Sequence, residues 1–334
     1  MRTTTLTAFL ICLAAPLSSG ASAKTVTVAA DGSGEFKTVQ EAIAAVPDDT
    51  AERTVIHLKP GTYQGQIILP RNKSNVAFEG DDVEKTILTF ALNTNEPNPP
   101  DVDQHHKGTG VVILGDGFRA ERVTFQNTSG DHGQALALRI DGDRAVVKNC
   151  RLLGWQDTLM VNKGRQYFKD CYIEGRVDFI YGDGTTVFDH CEIHSKNGGY
   201  VTAASTPKEK PFGFVFLNCR LSGDAVPWKD PSPSSSAKPA TPNKLAYLGR
   251  PWRPAASVAF VHCQLGDHIR PEGWNNWGKA ENEKTARYAE YGNTGPGAKP
   301  QKRVPWSRQL TKDEADQITV EKVLAGTDGW KPGD

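Results

Sequence analysis

Two aspartates and two glutamines in this sequence have the residue types and the spacing that hydrolytic chemistry needs. Asp178 lies 21 residues after Asp157. Gln156 directly precedes Asp157 and lies 22 residues after Gln134. Two carboxylates held close together repel when both are ionised, so one keeps its proton while the other stays charged. Such a pair can act as a general acid and a nucleophile, and the glutamine amides could donate hydrogen bonds to a developing oxyanion.

A cation further along the chain could orient the charged member of this pair. Arg250 lies within residues 248–252, and its fork of donors suits an ionised carboxylate. Taken singly, each feature has a plainer interpretation: residues 156–159 as a turn, Asp178 as a surface charge, and Arg250 as a loop residue with a solvated head. Their combined spacing is what favours a catalytic site.

The elements that would bring these residues together are indicated by a repeat centred on cysteine. Five segments have the order apolar, polar, Cys, polar, apolar, around Cys150, Cys171, Cys191, Cys219 and Cys263. Successive cysteines are 21, 20, 28 and 44 residues apart. The alternation predicts strands with each cysteine on the inner face. A basic turn of about 20 residues is typical of a solenoid of short strands.

This period predicts an all-β fold, a parallel β-helix with three short strands in each rung and about 4.8 Å between rungs. Both the glutamine pair and the aspartate pair are spaced by one turn of the coil, so each pair is expected to stack on one face. Two interpretations of the cysteines stay open: a Cys171–Cys191 disulfide, or a ladder of small buried thiols.

Both ends of an open coil expose its core and need a cover. Residues 38–46 have apolar side chains at helical spacing and stop at Pro47, which predicts an N-terminal capping helix. At the other end, Thr311 is expected to begin a helix. The last stretch, to Trp330, is expected to pack along the coil.

The first 23 residues predict a signal peptide. Arg2 precedes an apolar run at residues 6–17, and residues 21–23 have the small side chains of a cleavage site. Residues 24–334 would then form one secreted catalytic domain, extracellular or periplasmic and not attached to a membrane. Lys and Arg total 39, equal to Asp and Glu at 39, so charge gives no argument for nucleic acid. Without an evident exposed apolar stripe, a monomer is expected.

Four segments resemble, in order and spacing, the signature segments of the pectin methylesterases: residues 133–138, 156–159, 178–182 and 248–252. The likeness continues through residues 30–39, 60–63, 125–128, 165–168 and 290–298, and so covers nearly the whole mature chain. The resemblance implies a right-handed, single-stranded parallel β-helix. It also implies hydrolysis of galacturonate methyl esters in pectin, giving methanol and free acid, without a metal or an organic cofactor.

The resemblance assigns roles to the five polar residues. It implies that Asp178 is the nucleophile that attacks the ester carbonyl. Asp157 would protonate the departing methanol and then deprotonate the water that hydrolyses the acyl-enzyme. Gln134 and Gln156 would line the oxyanion hole, and Arg250 would hold Asp178.

The resemblance also implies a substrate surface made of Trp252, Phe179 and Tyr181, with Trp252 offering an aromatic face to the sugar. Many relatives have Phe where Tyr181 stands, so this chain adds a hydroxyl there. That difference affects substrate contacts and leaves the chemistry alone.

Other polar and aromatic residues have less specific interpretations. His105 and His106 are interpreted as a solvated loop pair, because no third metal ligand follows at a recognisable spacing. Core or rim positions are favoured over sugar platforms for Trp155, Trp228, Trp274 and Trp277. The sequence has neither the Gly-x-Ser-x-Gly elbow of serine esterases nor the His-Glu-x-x-His motif of zinc hydrolases.

Fold alone does not assign the reaction, because parallel β-helices also serve pectate lyases and polygalacturonases. Two further alternatives are a non-catalytic β-helix that binds polysaccharide and a family relative that acts on another ester. The candidates differ in their products. An esterase releases methanol and acid without cutting the polymer, a lyase forms double bonds, and a chain hydrolase releases reducing ends.

Overall fold

The computed structural model describes residues 23–97, 99–224 and 245–333. The signal peptide predicted over the first 23 residues therefore lies outside the described residues, apart from Ala23, and so does Trp228. In the ranges described, no helix is both long enough and apolar enough to cross a membrane.

Short strands make up most of the described chain. They are β1 Lys24–Val28, β2 Thr54–Leu58, β3 Gly61–Gln64, β4 Ile67–Leu69, β5 Val76–Gly80, β6 Thr86–Phe90, β7 Thr109–Ile113, β8 Arg119–Glu121, β9 Thr124–Asn127, β10 Leu136–Ile140, β11 Ala145–Lys148, β12 Arg151–Leu153, β13 Leu159–Val161, β14 Arg165–Lys169, β15 Tyr172–Gly182, β16 Thr185–Asp189, β17 Glu192–Ala204, β18 Phe214–Leu217, β19 Arg220–Gly223, β20 Ala246–Gly249, β21 Ser257–Val261, β22 Gln264–Leu265, β23 Arg287–Tyr291 and β24 Arg308–Gln309. The α-helices are α1 Val39–Ala45, α2 Lys312–Ala315 and α3 Val320–Leu324, and 3₁₀ turns cover Gln104–His106, Ala280–Lys284 and Pro300–Lys302.

The strands wind into a coil with three faces, and every strand pairing within the described residues is parallel. One face is an eleven-stranded sheet that runs from β1 through β2, β5, β8, β11, β14, β16, β18, β21 and β23 to β24. A second face contains β3, β6, β9 and β12, and a third contains β4, β7, β10 and β13. The long strands β15 and β17 belong to both of these faces, and β17 also pairs with β19 on one and β20 on the other. The predicted parallel β-helix is confirmed.

A left-handed turn precedes each cysteine of the repeat. The residues at these turns have φ between 51° and 56°; they are Asn149, Asp170, His190, Asn218 and His262. Asn, Asp and His tolerate this backbone conformation better than most side chains. The turns bend the chain from the eleven-stranded face to the next, which explains why the same sequence pattern recurs once per rung.

Stacked side chains fill the interior of the coil. The five cysteines are buried free thiols, so the thiol ladder is present and the Cys171–Cys191 disulfide is not. Beside them Phe168, Phe188, Phe216 and Phe260 stack in sequence, with successive ring centroids 5.1, 4.6 and 4.3 Å apart. Burial of these rings on consecutive rungs supplies a large apolar contribution to the stability of the coil.

Helices cover the coil where the sequence predicts them. Thr38 caps α1 through a capping box, and the buried Val39, Ala42 and Ile43 of α1 join the core. Thr311 caps α2 in the same way. The C-terminal helices pack on the outer side of the eleven-stranded face, so the predicted packing of the last stretch along the coil is confirmed.

Candidate active site

The register of neighbouring rungs brings the two aspartates together. Leu159 of β13 pairs with Ile180 of β15, so Asp157 and Asp178, two residues before each, lie side by side. The Asp157 amide donates to the Val177 carbonyl at 3.1 Å. The vertical alignment predicted from the 21-residue spacing is therefore present in the structure.

The glutamines stack in the same manner one step earlier along the chain. Gln134 and Gln156 form a parallel bridge, and the Ala135 amide donates to the Gln156 carbonyl at 3.1 Å. The side chains of both glutamines lie close enough to hydrogen-bond the Asp157 carboxyl. Two amides thus surround one member of the acid pair.

Both aspartates have a left-handed backbone, with φ of 65° at Asp157 and 51° at Asp178. Such conformations cost energy in non-glycine residues and persist where the surrounding structure imposes them, which is common at functional sites. Asp157 lies just before β13, and Asp178 lies within β15 where its register with β17 shifts. The strained turns therefore lie at the same height on consecutive rungs.

Arg250 binds Asp178 with two parallel hydrogen bonds. Its Nε donates to Oδ1 at 2.8 Å and its Nη2 to Oδ2 at 2.6 Å. Gly249 makes this approach possible, because a Cβ there would lie 2.0 Å from Thr202 Oγ1. The Arg250 amide donates in turn to the Thr202 carbonyl at 2.9 Å. The predicted contact between Arg250 and Asp178 is present.

The surroundings give the two carboxyl groups different protonation. Asp157 is only 5% exposed, and burial raises the pKa of its carboxyl to about 8, with the charge of Asp178 adding to the rise. The charge of Arg250 and the glutamine hydrogen bonds oppose it. Burial also raises the pKa of Asp178, but the hydrogen bonds and charge of Arg250 oppose that rise directly. Arg250 therefore favours the ionised form of Asp178, and the raised pKa of Asp157 favours its protonated form near neutral pH.

The pair opens into a cleft of about 390 Å³. Gln134, Gln156, Asp157, Asp178 and Arg250 all line it, so all five polar residues predicted from the sequence converge on one cavity. Since the floor is a strip of parallel strands and the walls are loops, the cleft lies along one face of the coil.

Of the three aromatic residues predicted to contact substrate, two line the cleft and one does not. Trp252 and Tyr181 lie on its wall, edge to face, with ring centroids 5.8 Å apart. The Tyr181 hydroxyl lies close enough to hydrogen-bond Asp157. Phe179 is fully buried in the core, so the predicted substrate contact is wrong for this residue. Phe179 and Ile180 both point into the core, whereas Asp178 and Tyr181 line the cleft, because a register shift interrupts the strand alternation at this point.

The cleft also contains basic side chains, two of which, His105 and His106, the sequence predicted to be a solvated loop pair. His105, His106 and Lys107 line it. Gln66 fixes their turn by donating to the His106 carbonyl at 2.9 Å, and Asp103 caps it by accepting from the His105 amide. Three consecutive basic residues at 105–107 were the signal that could have indicated a place in the cleft. Over the described ranges, no cluster of three or more His, Cys, Asp or Glu residues could hold a metal ion.

A core or rim position was favoured for the tryptophans, and two of them lie in the core. Trp155 and Trp274 are buried, at 8% and 1% exposure. Trp277, however, lines the cleft beside Arg250. Its position depends on a loop whose course local sequence does not fix.

A family model and related sequences all relate this chain to the pectinesterases. A model of the pectinesterase family matches residues 25–327. The chain is 41% identical to pectinesterase 31 of Arabidopsis thaliana over 308 residues, which are 88% of this chain and 90% of that protein. It is 40% identical to a pectinesterase/pectinesterase inhibitor of Brassica campestris, covering 90% of this chain but only 52% of that protein. The chain thus spans about half the length of that relative.

Solved structures agree in fold. The pectin methylesterase from carrot superposes with a TM-score of 0.80 at 35% identity, covering 93% of this chain and 95% of that one. The pectin methylesterase from Aspergillus niger gives a TM-score of 0.76 at 27% identity, covering 92% of this chain and 95% of that one. A pectin methylesterase in complex with a hexasaccharide gives 0.74 at 28% identity, covering 93% and 99%.

Proposed function

This chain belongs to the pectinesterase family, and from that membership we propose that it removes methyl esters from pectin through the Asp157–Asp178 pair. Esterase activity is what the family does. The division of labour between the two acids is the proposal, and one observation carries it. Asp178 is bound on both oxygens by Arg250, whereas the pKa of Asp157 is raised to about 8 by burial and by the charge of Asp178.

The first half of the reaction forms an acyl-enzyme. A carboxylate oxygen of Asp178 attacks the ester carbonyl carbon, and the carbonyl oxygen becomes an oxyanion that the amides of Gln134 and Gln156 stabilise. The C–O bond to methanol then breaks while Asp157 gives its proton to the leaving oxygen. Asp178 is left bound to the galacturonyl group as an anhydride.

The second half restores the enzyme. Asp157, now ionised, takes a proton from water, and the resulting hydroxide attacks the acyl carbon. The anhydride bond breaks, Asp178 recovers its charge beside Arg250, and the product leaves as galacturonic acid, which then loses its proton to solvent. Asp157 ends with the proton with which it began, so one water is consumed and one methanol is released for each ester.

The cleft suits a sugar polymer. Trp252 and Tyr181 supply apolar surfaces on which a sugar ring can stack. Lys107 lines the cleft together with His105 and His106, and its positive charge favours the free carboxylates of a partly esterified chain. The aromatic and basic side chains together favour pectin over a neutral polysaccharide.

We also propose that the protein is secreted and acts as a monomer. The composition of the first 23 residues supports export to the extracellular space or periplasm, where pectin is accessible. We expect the mature domain to act as a monomer without nucleic-acid or membrane partners.

Methanol release from highly methylated pectin tests the assignment. Asp178→Ala should lower methanol release at least about 1,000-fold, because the nucleophile is lost. Asp170→Ala is the matched control, since Asp170 is an exposed aspartate with a similar left-handed φ of 52°. Circular dichroism of both variants checks that the coil is retained.

Two outcomes would contradict the proposal. Undiminished methanol release by a folded Asp178→Ala protein would remove Asp178 from the chemistry. Binding of pectin by the wild-type protein without methanol release would instead favour a non-catalytic polysaccharide-binding β-helix. A chelator should not change the rate, because no step uses a metal.

A further inference from the structure

We infer that Tyr200 and Trp277 form an aromatic clamp on Arg250 and act as positioning residues for the proposed nucleophile. The guanidinium carbon of Arg250 lies 3.9 Å from the ring centroid of Tyr200 and 3.8 Å from that of Trp277. Two rings at this distance cannot share one face of a planar guanidinium, so they enclose it from both sides. This inference rests on the proposed role of Asp178.

The clamp and the hydrogen bonds use different parts of the same group. The edge of the guanidinium donates its two N–H bonds to Asp178, while its faces contact the rings. Stacking is the arrangement that arginine favours on aromatic rings, and it leaves the in-plane donors free. The rings therefore hold the guanidinium in one plane, the plane in which a two-point bond to Asp178 forms.

Strand register places Tyr200 beside the nucleophile. Tyr200 in β17 pairs with Val177, the residue before Asp178. On its other side Tyr200 pairs with Tyr247, and the two rings stack at 5.3 Å with an interplanar angle of 9°. Arg270 covers Tyr247 in turn, 4.9 Å from its centroid. The ring of Tyr200 is thus held in place by Tyr247, which is itself covered by Arg270 on the side away from the site.

The other half of the clamp is held at a conformational cost. Trp277 has φ of 62°, a left-handed value that is unfavourable for a bulky side chain. The Asn275 side chain fixes this turn by accepting from the Trp277 amide at 2.8 Å. Trp274, three residues earlier, is buried in the core and bridges to Gly249. The loop is therefore anchored next to Arg250 at both its backbone and its core.

The clamp matters because burial works against the nucleophile. Burial raises the pKa of Asp178, and Arg250 opposes that rise only while its donors stay aligned. A free arginine side chain has many rotamers, whereas one enclosed between two rings has few. Loosening the clamp should therefore raise the pKa of Asp178 and leave less of it ionised at a given pH.

The test compares ring-removing and ring-keeping variants. Trp277→Leu and Tyr200→Leu should lower kcat about fivefold to tenfold and move the acidic limb of the pH–rate profile to higher pH. Tyr200→Phe and Trp277→Phe keep an aromatic face and should stay near wild type. Arg250→Ala should move the acidic limb in the same direction and further. Trp277 lies in a half-buried loop, so its loss should spare the fold, which thermal unfolding checks.

A contact of the same kind elsewhere on the coil provides the control. Arg151 lies 5.6 Å over the Tyr172 ring on another face, so Tyr172→Leu should leave kcat and the acidic limb unchanged. The clamp is overturned if the Trp277→Leu limb coincides with wild type, or if the Phe variants lose as much as the Leu variants. Methanol release by folded Asp178→Ala would refute the nucleophile itself, a separate result.

Discussion

Asp157 and Asp178 are the same residue type on adjacent rungs, and only their neighbours make them different. Arg250 contacts one carboxylate on both oxygens, while the other meets amides, a tyrosine hydroxyl and the charge of its partner. Equivalent positions on two rungs thus favour an ionised acid at Asp178 and a protonated acid at Asp157. General acid–base chemistry needs this difference, which sequence spacing can suggest but not set.

The pH dependence of the reaction follows from this pair. In the proposed mechanism Asp178 reacts as the ionised form and Asp157 as the protonated form, so kcat/KM should rise with ionisation of Asp178 and fall as pH passes about 8. The fall has this sign because a deprotonated Asp157 cannot give a proton to methanol. Initial rates of methanol release across the pH range measure it. Intrinsic fluorescence at each pH is the control for unfolding, and a rate still rising above pH 10 would contradict the assignment.

At the scale of the element, each rung contributes short strands to the three faces, joined by turns that include left-handed residues. The inward positions of consecutive rungs stack, so like residues lie over like residues: cysteine over cysteine and phenylalanine over phenylalanine. The same rule places aspartate over aspartate at the surface. The alignment of the candidate site and the alignment of the core therefore both follow from the register between consecutive rungs.

Disrupting the phenylalanine stack should test how much stability the register supplies. Phe188 is fully buried and stacks on Phe168 and Phe216, so Phe188→Ala should lower the free energy of unfolding by about 3–5 kcal/mol. Phe212→Ala is the matched control, because Phe212 is only half-buried and should cost less. Denaturant unfolding measures both. Equal losses of unfolding free energy in the two variants would mean that the stacked ring contributes no more stability than a half-buried one.

At the scale of the whole molecule, the C-terminal segment covers one outer face of the coil. Val323 and Leu324 of α3 are buried against a second apolar cluster that includes Val187 and Val215 of the eleven-stranded sheet. Arg165 fastens the segment by donating to the Leu324 and Ala325 carbonyls at 3.2 Å. A face that would otherwise expose apolar side chains is closed by residues far away in sequence.

Removing one anchor of this cover should destabilise the molecule without touching the cleft. Leu324→Ala should lower the free energy of unfolding by about 2–5 kcal/mol, because it leaves a cavity under α3. Glu321→Ala in the same helix is the control, since Glu321 is exposed. Thermal unfolding and binding of a hydrophobic dye measure the effect. KM for pectin should stay at the wild-type value, and a large change would indicate coupling between this face and the cleft.

The sequence by itself determined the coil, its caps and the five polar residues of the candidate site, because a period of about one rung fixes which positions stack. It could not determine the course of the loops. Nor could it determine which residues of a strand face the cleft where a register shift interrupts the alternation, as one does in β15. Phe179 therefore turned out to be core and Trp277 to lie over Arg250. His105 and His106 joined the cleft for the same reason. Tertiary structure decided these positions, since they depend on contacts between residues distant in the chain, which local patterns do not encode.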